Sequence, residues 1–207
     1  VCHARFKSVR SVRLSSDGRL AVSAGEDGAI KLWDPETGEC VQTLTGHDGS
    51  VHAIRLSADD RLLLSGGSDD TLRLWELDTG RCIWRTSCRQ TQVYAVGLSP
   101  DSRFAFCGGR NGMVQLRDAR RGRWLSNPGG HGRGVSSLCV AVDGSSVLSG
   151  GFDGKMAYRH LTDSDQNRMF LGHEGAVRSV AMTSDCWYAV SAGQDGVLRL
   201  WEVAGGQ

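Results

Sequence analysis

Apolar and polar positions alternate from Val51 to Leu56, a period of two that predicts a half-buried strand. The run is followed by Ala58-Asp59-Asp60, a turn, and then by a second apolar run over 61–65. The small and polar residues 66–70 turn the chain again, 72–75 reads as a third strand, Asp78-Thr79-Gly80 as a third turn, and 82–86 as a fourth strand. Residues 47–86 therefore predict four short antiparallel strands joined by tight turns.

The pattern recurs with a step of 42 residues. Trp33-Asp34, Trp75-Glu76, Arg117-Asp118, Arg159-His160 and Trp201-Glu202 mark one position, and Gly46-His47, Cys88-Arg89, Gly130-His131 and Gly172-His173 mark another. Two further series keep the same register: Asp27, Asp69, Asn111, Asp153, Asp195 and Ser23, Ser65, Cys107, Ser149, Ser191. The chain thus divides into repeats of approximately 1–38, 39–80, 81–122, 123–164 and 165–207, expected to form one domain over 1–207. A four-stranded sheet has two apolar faces and cannot cover them alone, so successive sheets must stack. Twisted sheets stacked face to face bend around an axis, so the expected fold is an all-β propeller of five four-stranded antiparallel blades.

The Gly-His start, the turn Asp and the Trp-Asp end resemble WD-repeat proteins, across essentially the whole chain and most closely in the second and fifth repeats. The resemblance implies a hydrogen-bonded tetrad inside each blade. Its complete sets here are His47, Ser65, Asp69, Trp75 and His173, Ser191, Asp195, Trp201. The residue types suit such a network, because a buried carboxylate needs donors, an imidazole donates to it while bonding a hydroxyl, and an indole N–H donates to that hydroxyl. Partial sets are Ser23, Asp27, Trp33, with Arg5 in place of His, and His131, Ser149, Asp153, with Arg159 in place of Trp. The third repeat has Arg89, Cys107, Asn111 and Arg117 at the four positions, so its blade is expected to rely on apolar packing and to be the least stable.

Composition removes several classes of function. With 40% hydrophobic and 23% charged residues and a net charge of +1, the chain reads as an ordinary globular protein. No apolar run approaches the ~18 residues of a membrane-spanning helix, and the first residues carry no secretory pattern. Seven Cys without a Cys-x-x-Cys pair signal neither a disulfide framework nor a zinc knuckle, and His47 and His52 lack a cysteine pair to complete a metal site. No metal and no cofactor are expected, and reduced thiols fit a cytoplasmic or nuclear setting.

Ser, His and Asp at tetrad spacing also suggest a catalytic triad. They recur at equal intervals inside structural sheets, however, without a strained nucleophile turn such as Gly-x-Ser-x-Gly. The expected activity is therefore none, and the expected role is a scaffold binding other proteins or peptides. The alternative is a substrate-receptor or regulatory module of an enzyme complex, such as a ubiquitin ligase or a kinase or nucleotide-hydrolysing parent chain. The resemblance places partner binding at residues following the first-strand Val and preceding the turn Asp, which makes Arg10, His52, Tyr94, Arg110, Phe152 and Arg178 the candidates. Arg, Tyr and Phe are types favoured at binding hot spots.

A second candidate surface comes from charge. Residues 81–133 hold ten Arg and only Asp101 and Asp118, whereas the segments on either side are acidic. Arg117, Arg120, Arg121 and Arg123 form a candidate basic patch for an acidic partner, set against the alternative of a solvated edge whose Arg stems cover apolar surface. Arg120-Arg121-Gly122 resembles a phosphoinositide-binding signature, but Gly122 keeps the register of the turn residues Gly38 and Gly80. Arg117-Asp118-Ala119-Arg120 distantly resembles the Trp-Asp-x-Arg box of cullin-ligase receptors and lacks its aromatic residue. Overall charge near zero and few interleaved aromatics argue against a dedicated nucleic-acid binder. Because the family most often has seven blades, the five repeats are expected to be a portion of a larger propeller, with the outer strand of the last blade largely missing.

Overall fold

A computed structural model describes residues 8–88 and 91–203. The strands in chain order are β1 Val9–Leu14, β2 Ala21–Gly25, β3 Ile30–Trp33, β4 Cys40–Leu44, β5 Val51–Leu56, β6 Leu62–Gly67, β7 Thr71–Glu76 and β8 Cys82–Ser87. They continue as β9 Val93–Leu98, β10 Phe104–Gly109, β11 Met113–Asp118, β12 Trp124–Gly130, β13 Val135–Val140, β14 Ser146–Gly151, β15 Lys155–His160, β16 Arg168–Leu171, β17 Val177–Met182, β18 Tyr188–Gly193 and β19 Leu198–Glu202. A single turn of 3₁₀ helix, Ser164–Gln166, precedes β16. Each repeat forms one antiparallel sheet in sequence order: β1–β4, β5–β8, β9–β12 and β13–β16 have four strands, and β17–β19 has three among the described residues. These are the expected propeller blades. The chain divides into two compact units, the first ending at Val96 and the second beginning at Gly97.

Strand β6 differs from expectation. The glycines Gly66 and Gly67, expected in a turn, belong to the strand, which runs to Gly67. Packing is the reason: a Cβ on Gly66 would lie 2.3 Å from Val93 Cγ1. The absence of a side chain there admits Val93 of β9, so glycine marks close approach rather than chain reversal.

Neighbouring sheets stack within each unit. Val22, Ile30 and Leu32 of the first sheet share one buried cluster with Val51, Ile54, Leu63 and Trp75 of the second. Leu148, Met156 and Tyr158 of the fourth share another with Val177, Val180 and Ala189 of the fifth. Each such side chain contributes about 1.5–3 kcal/mol by leaving water. The corresponding Leu198 and Leu200 of β19 are 68% and 67% exposed.

A second regularity runs through the innermost strands. The register shifts between Val9 and Ser11, Val51 and Ala53, Val135 and Ser137, and Val177 and Ser179. In each case one residue, Arg10, His52, Ser136 or Arg178, is left without a partner across the ladder. A bulge of this kind turns the following residues by one position. Val51 and Ile54, three apart, can then face the same core, as can Val177 and Val180.

Candidate functional site

The second sheet brings His47, Ser65, Asp69 and Trp75 into one chain of hydrogen bonds. Trp75 Nε1 donates to Ser65 Oγ at 2.8 Å, and Ser65 Oγ lies 2.7 Å from His47 Nε2. His47 Nδ1 lies 3.0 and 3.1 Å from the two Asp69 oxygens. Because the Ser65 oxygen accepts from the indole, its hydroxyl hydrogen goes to Nε2, and Nδ1 carries the ring proton toward the carboxylate. Thr71 Oγ1 and the Asp48 N–H also donate to Asp69, at 2.9 and 3.2 Å. Burial pushes the Asp69 carboxyl upward, but the His47 bond and charge and the Thr71 and Asp48 donors outweigh it and hold it at about 2. Burial likewise lowers the His47 pKa despite the adjacent carboxylate, so the imidazole is neutral at pH 7.

The fifth sheet repeats this arrangement. His173 Nδ1 is 2.9 Å from Asp195, His173 Nε2 is 2.7 Å from Ser191 Oγ, and Trp201 Nε1 donates to Ser191 Oγ at 2.8 Å. Arg199 adds an ion pair to Asp195 at 3.1 Å. Against the upward push of burial, the His173 bond and the Val197 and Glu174 N–H groups hold the Asp195 carboxyl at about 2. In the fourth sheet His131 reaches Asp153 at 3.0 Å and Ser149 at 2.9 Å. Arg159, at the Trp position, turns instead to the carbonyl of Arg168 at 3.0 Å. In the first sheet Trp33 Nε1 donates to Ser23 Oγ at 2.7 Å, Asp27 Oδ1 accepts the Ala29 N–H at 3.1 Å, and Arg5 lies outside the described residues.

Although Ser65–His47–Asp69 has the contacts of a nucleophile relay, its chemistry is closed. The serine is fully buried and its oxygen is occupied by the Trp75 N–H. A nucleophile needs space for a substrate carbonyl beside it, and Ser65, with no exposed surface, offers none. The group ties the loop before β5, strand β6, the turn after it and strand β7 together. His47 is committed to this network, and His52 instead packs its ring against Tyr94 at a tilt of 54°, so the two do not share a ligand position.

Two corrections concern the third sheet. Arg117 is 3% exposed, so it does not belong to the surface basic patch. Its Nη1 donates to the Gly122 carbonyl at 3.1 Å and its Nη2 to Gln115 Oε1 at 3.0 Å. The expectation of purely apolar packing therefore fails as well: a buried guanidinium bonded to a turn carbonyl and a glutamine supplies polar ties of a different kind. Asn111 Oδ1 accepts the Met113 N–H at 3.1 Å, Cys107 is buried, and Arg89 lies outside the described residues. Arg120, Arg121 and Arg123 stand at the turn between β11 and β12, where Arg120 and Arg123 are exposed.

Within each unit the candidate partner-binding residues stand on the first strands of the sheets or in the turns after the second strands. In the first unit the His52 and Tyr94 rings are 5.3 Å apart, Arg10 pairs with Glu26, and Tyr94 Oη donates to Gln92 at 2.9 Å. Burial, followed by the Arg10 charge, lowers the His52 pKa, and His52 Nε2 is buried without a hydrogen-bond partner among the described residues. In the second unit the Arg178 guanidinium lies 5.6 Å from the Phe152 ring centroid and Arg178 Nη2 donates to Gln194 at 3.0 Å. An open cavity of about 650 Å³ adjoins them, lined also by Arg133, Glu174 and Ala176. Arg110 is exposed at the turn after β10. Sequence reasoning missed the bulge, although the spacing of three between Val51 and Ile54 carries it.

Stacked four-stranded repeats with a His–Ser–Asp–Trp tie define a propeller-blade array. The family model described as "WD domain, G-beta repeat" matches residues 1–34, 38–76, 80–118, 122–157 and 164–202, and the chain belongs to this WD-repeat family. Similar relatives match over about one repeat. A stretch of 32 residues, 16% of this chain, is 56% identical to nuclear distribution protein PAC1-2 of Uncinocarpus reesii and covers 7% of it. Forty residues, 19% of the chain, are 40% identical to WD repeat domain-containing protein 83 of Xenopus laevis, covering 13% of that protein. Forty-one residues, 20% of the chain, are 42% identical to the probable E3 ubiquitin ligase complex SCF subunit sconB of Talaromyces stipitatus, covering 6% of it. Among the described residues no helix is long and apolar enough to cross a membrane.

Proposed function

We propose that this chain is a non-catalytic scaffold, its five repeats acting as one domain, that holds partner proteins or peptides at the bulged strand ends. The supporting observation is the recurrence of the bulge at one position of the repeat, carrying Arg10, His52, Ser136 and Arg178. A bulge removes a residue from the ladder and re-aims its side chain. Three of the four side chains so presented are arginine or an imidazole packed against Tyr94, and Phe152 with Arg178 beside an open cavity pairs an aromatic ring with arginine, types enriched in protein interfaces. A cytoplasmic or nuclear setting accompanies this reading.

Quantitative pull-down with the whole chain tests it. Phe152→Ala and Arg178→Ala are expected to lose partners that the parent chain retains, with unchanged thermal unfolding. Full retention of every partner by both variants would refute the assignment. A second reading, a receptor module of a ubiquitin ligase, draws on the name of the Talaromyces relative. Co-purification of the chain with a cullin-containing assembly separates it from the first.

A further inference from the structure

The turn joining the third and fourth strands is built the same way in the first and third repeats. In the first, Asp34 Oδ1 accepts the N–H groups of Glu36 and Thr37 at 2.8 and 3.3 Å, and the Gly38 N–H returns to the Asp34 carbonyl at 2.8 Å. In the third, Asp118 Oδ1 accepts from the Arg120 and Arg121 N–H groups at 2.8 and 3.1 Å, and the Gly122 N–H returns to the Asp118 carbonyl at 2.8 Å. The backbone solution is shared, and the side chains are opposite in charge. Glu36, Thr37 and Glu39 of one repeat stand where Arg120, Arg121 and Arg123 stand in the other. The fold therefore does not require arginine at these positions.

The cleft beside each turn inverts with it. In the first repeat it is lined by Asp17, Gly18, Arg19, Asp34 and Glu36. In the third it is a cavity of about 250 Å³ lined by Arg103, Phe104, Asp118, Arg120 and Leu125. Its two acidic neighbours are already engaged: Asp118 caps the turn, and Asp101 accepts from Ser99 Oγ at 2.6 Å and the Arg103 N–H at 3.0 Å through Oδ1 while its Oδ2 stands 3.9 Å from Arg103 Nε. Among the described residues the guanidinium groups of Arg120, Arg121 and Arg123 donate to no protein acceptor. Arg103 lies over the Phe104 ring at 5.6 Å, and Leu125 is 40% exposed. The cavity lies where β10 begins and β11 ends, and the Phe152 side chain lies past the far end of the corresponding strand β14.

We infer that this cleft docks an acidic protein segment, with Arg120, Arg121 and Arg123 taking its carboxylates and Phe104 and Leu125 taking one apolar side chain. Charge complementarity selects the partner, and arginine suits it because a planar guanidinium binds a carboxylate through two parallel bonds. The volume fits one large side chain rather than a drug-sized ligand, whose pockets run to about 300–1,000 Å³. Clustered charge of one sign also speeds encounter with an oppositely charged segment.

Fluorescence anisotropy of the whole chain with a labelled peptide of Glu and Asp around one central Leu tests this. Binding is expected to weaken at least tenfold in the triple variant Arg120→Glu, Arg121→Thr, Arg123→Glu. That variant imports residue types the first repeat already carries in the same turn, so the fold accommodates it. The double variant Arg120→Lys, Arg123→Lys is expected to lose affinity severalfold, and Leu125→Ser to weaken the Leu peptide but not its Leu→Ala counterpart. Equal binding by the parent and the charge-reversed chain would overturn the inference. So would tighter binding to a single-stranded oligonucleotide, or to vesicles containing phosphatidylserine, than to the acidic peptide.

Discussion

Replacing Ser65 by alanine removes one oxygen and strands two buried groups. The Trp75 N–H loses its acceptor at 2.8 Å, and His47 Nε2 loses the donor at 2.7 Å. Neither atom has water to turn to, since the His47 side chain is fully buried and Trp75 is 2% exposed. Each buried group left unsatisfied costs about 1–3 kcal/mol, so the variant should lose about 2–6 kcal/mol. That is a large share of the 5–15 kcal/mol typical of a folded domain. Ser23 supplies the internal control. Among the described residues Trp33 is the side chain that donates to it in the first sheet, and Ser23→Ala should cost about 1 kcal/mol. Urea unfolding followed by tryptophan fluorescence measures both, with the dependence on denaturant unchanged if only stability moves. A Ser65→Ala loss no larger than that of Ser23→Ala would refute the idea that the relay binds the second sheet together.

Acid should act through the same groups. Asp69 and Asp195 are held at about 2 against the usual 3.8, so their contribution is present above pH 4 and lost as pH falls toward 2. His47 and His131 are lowered from 6.5, chiefly by burial, so the unfolded chain takes up their protons first and stability begins to fall below pH 6.5. Urea midpoints at pH 7.5, 5.5 and 3.5 should therefore descend in that order, and a flat profile would contradict the assignment. The third sheet lacks a His–carboxylate tie, and its amides at 105–107 should exchange at least tenfold faster than those at 63–65, read by hydrogen exchange with mass spectrometry. Gly66→Ala places a Cβ 2.3 Å from Val93 Cγ1 and should cost about 1–3 kcal/mol, with Val93→Ala restoring part of the loss in the double variant.

The blades are legible in the sequence because their causes are periodic. Tetrad residues and turn aspartates recur in step, and one good repeat predicts the others. What escapes prediction is local and three-dimensional. Charge groups Arg117 with its basic neighbours, but its side chain on β11 is buried, where Gln115 and the Gly122 carbonyl receive it. Composition puts Gly66 in a turn, whereas the approach of Val93 keeps it in a strand. Both errors come from treating a residue type as a property of its segment rather than of the side of the sheet it faces.

The bulge shows how such information can still be encoded. Strict alternation over β5 would put Val51 and Ile54 on opposite faces, and both lie in the cluster shared with the first sheet. Only an inserted residue reconciles the two, and His52 is that residue. The same spacing separates Val177 from Val180, with Arg178 between them. A pair of core β-branched residues three apart in a strand is thus a signature of the residue released from the ladder. If the released residue serves binding, exchanging His52 and Arg178 for alanine should leave the core contacts intact while altering recognition. Loss of stability comparable to a core truncation, about 2–5 kcal/mol, would instead assign these side chains to the framework.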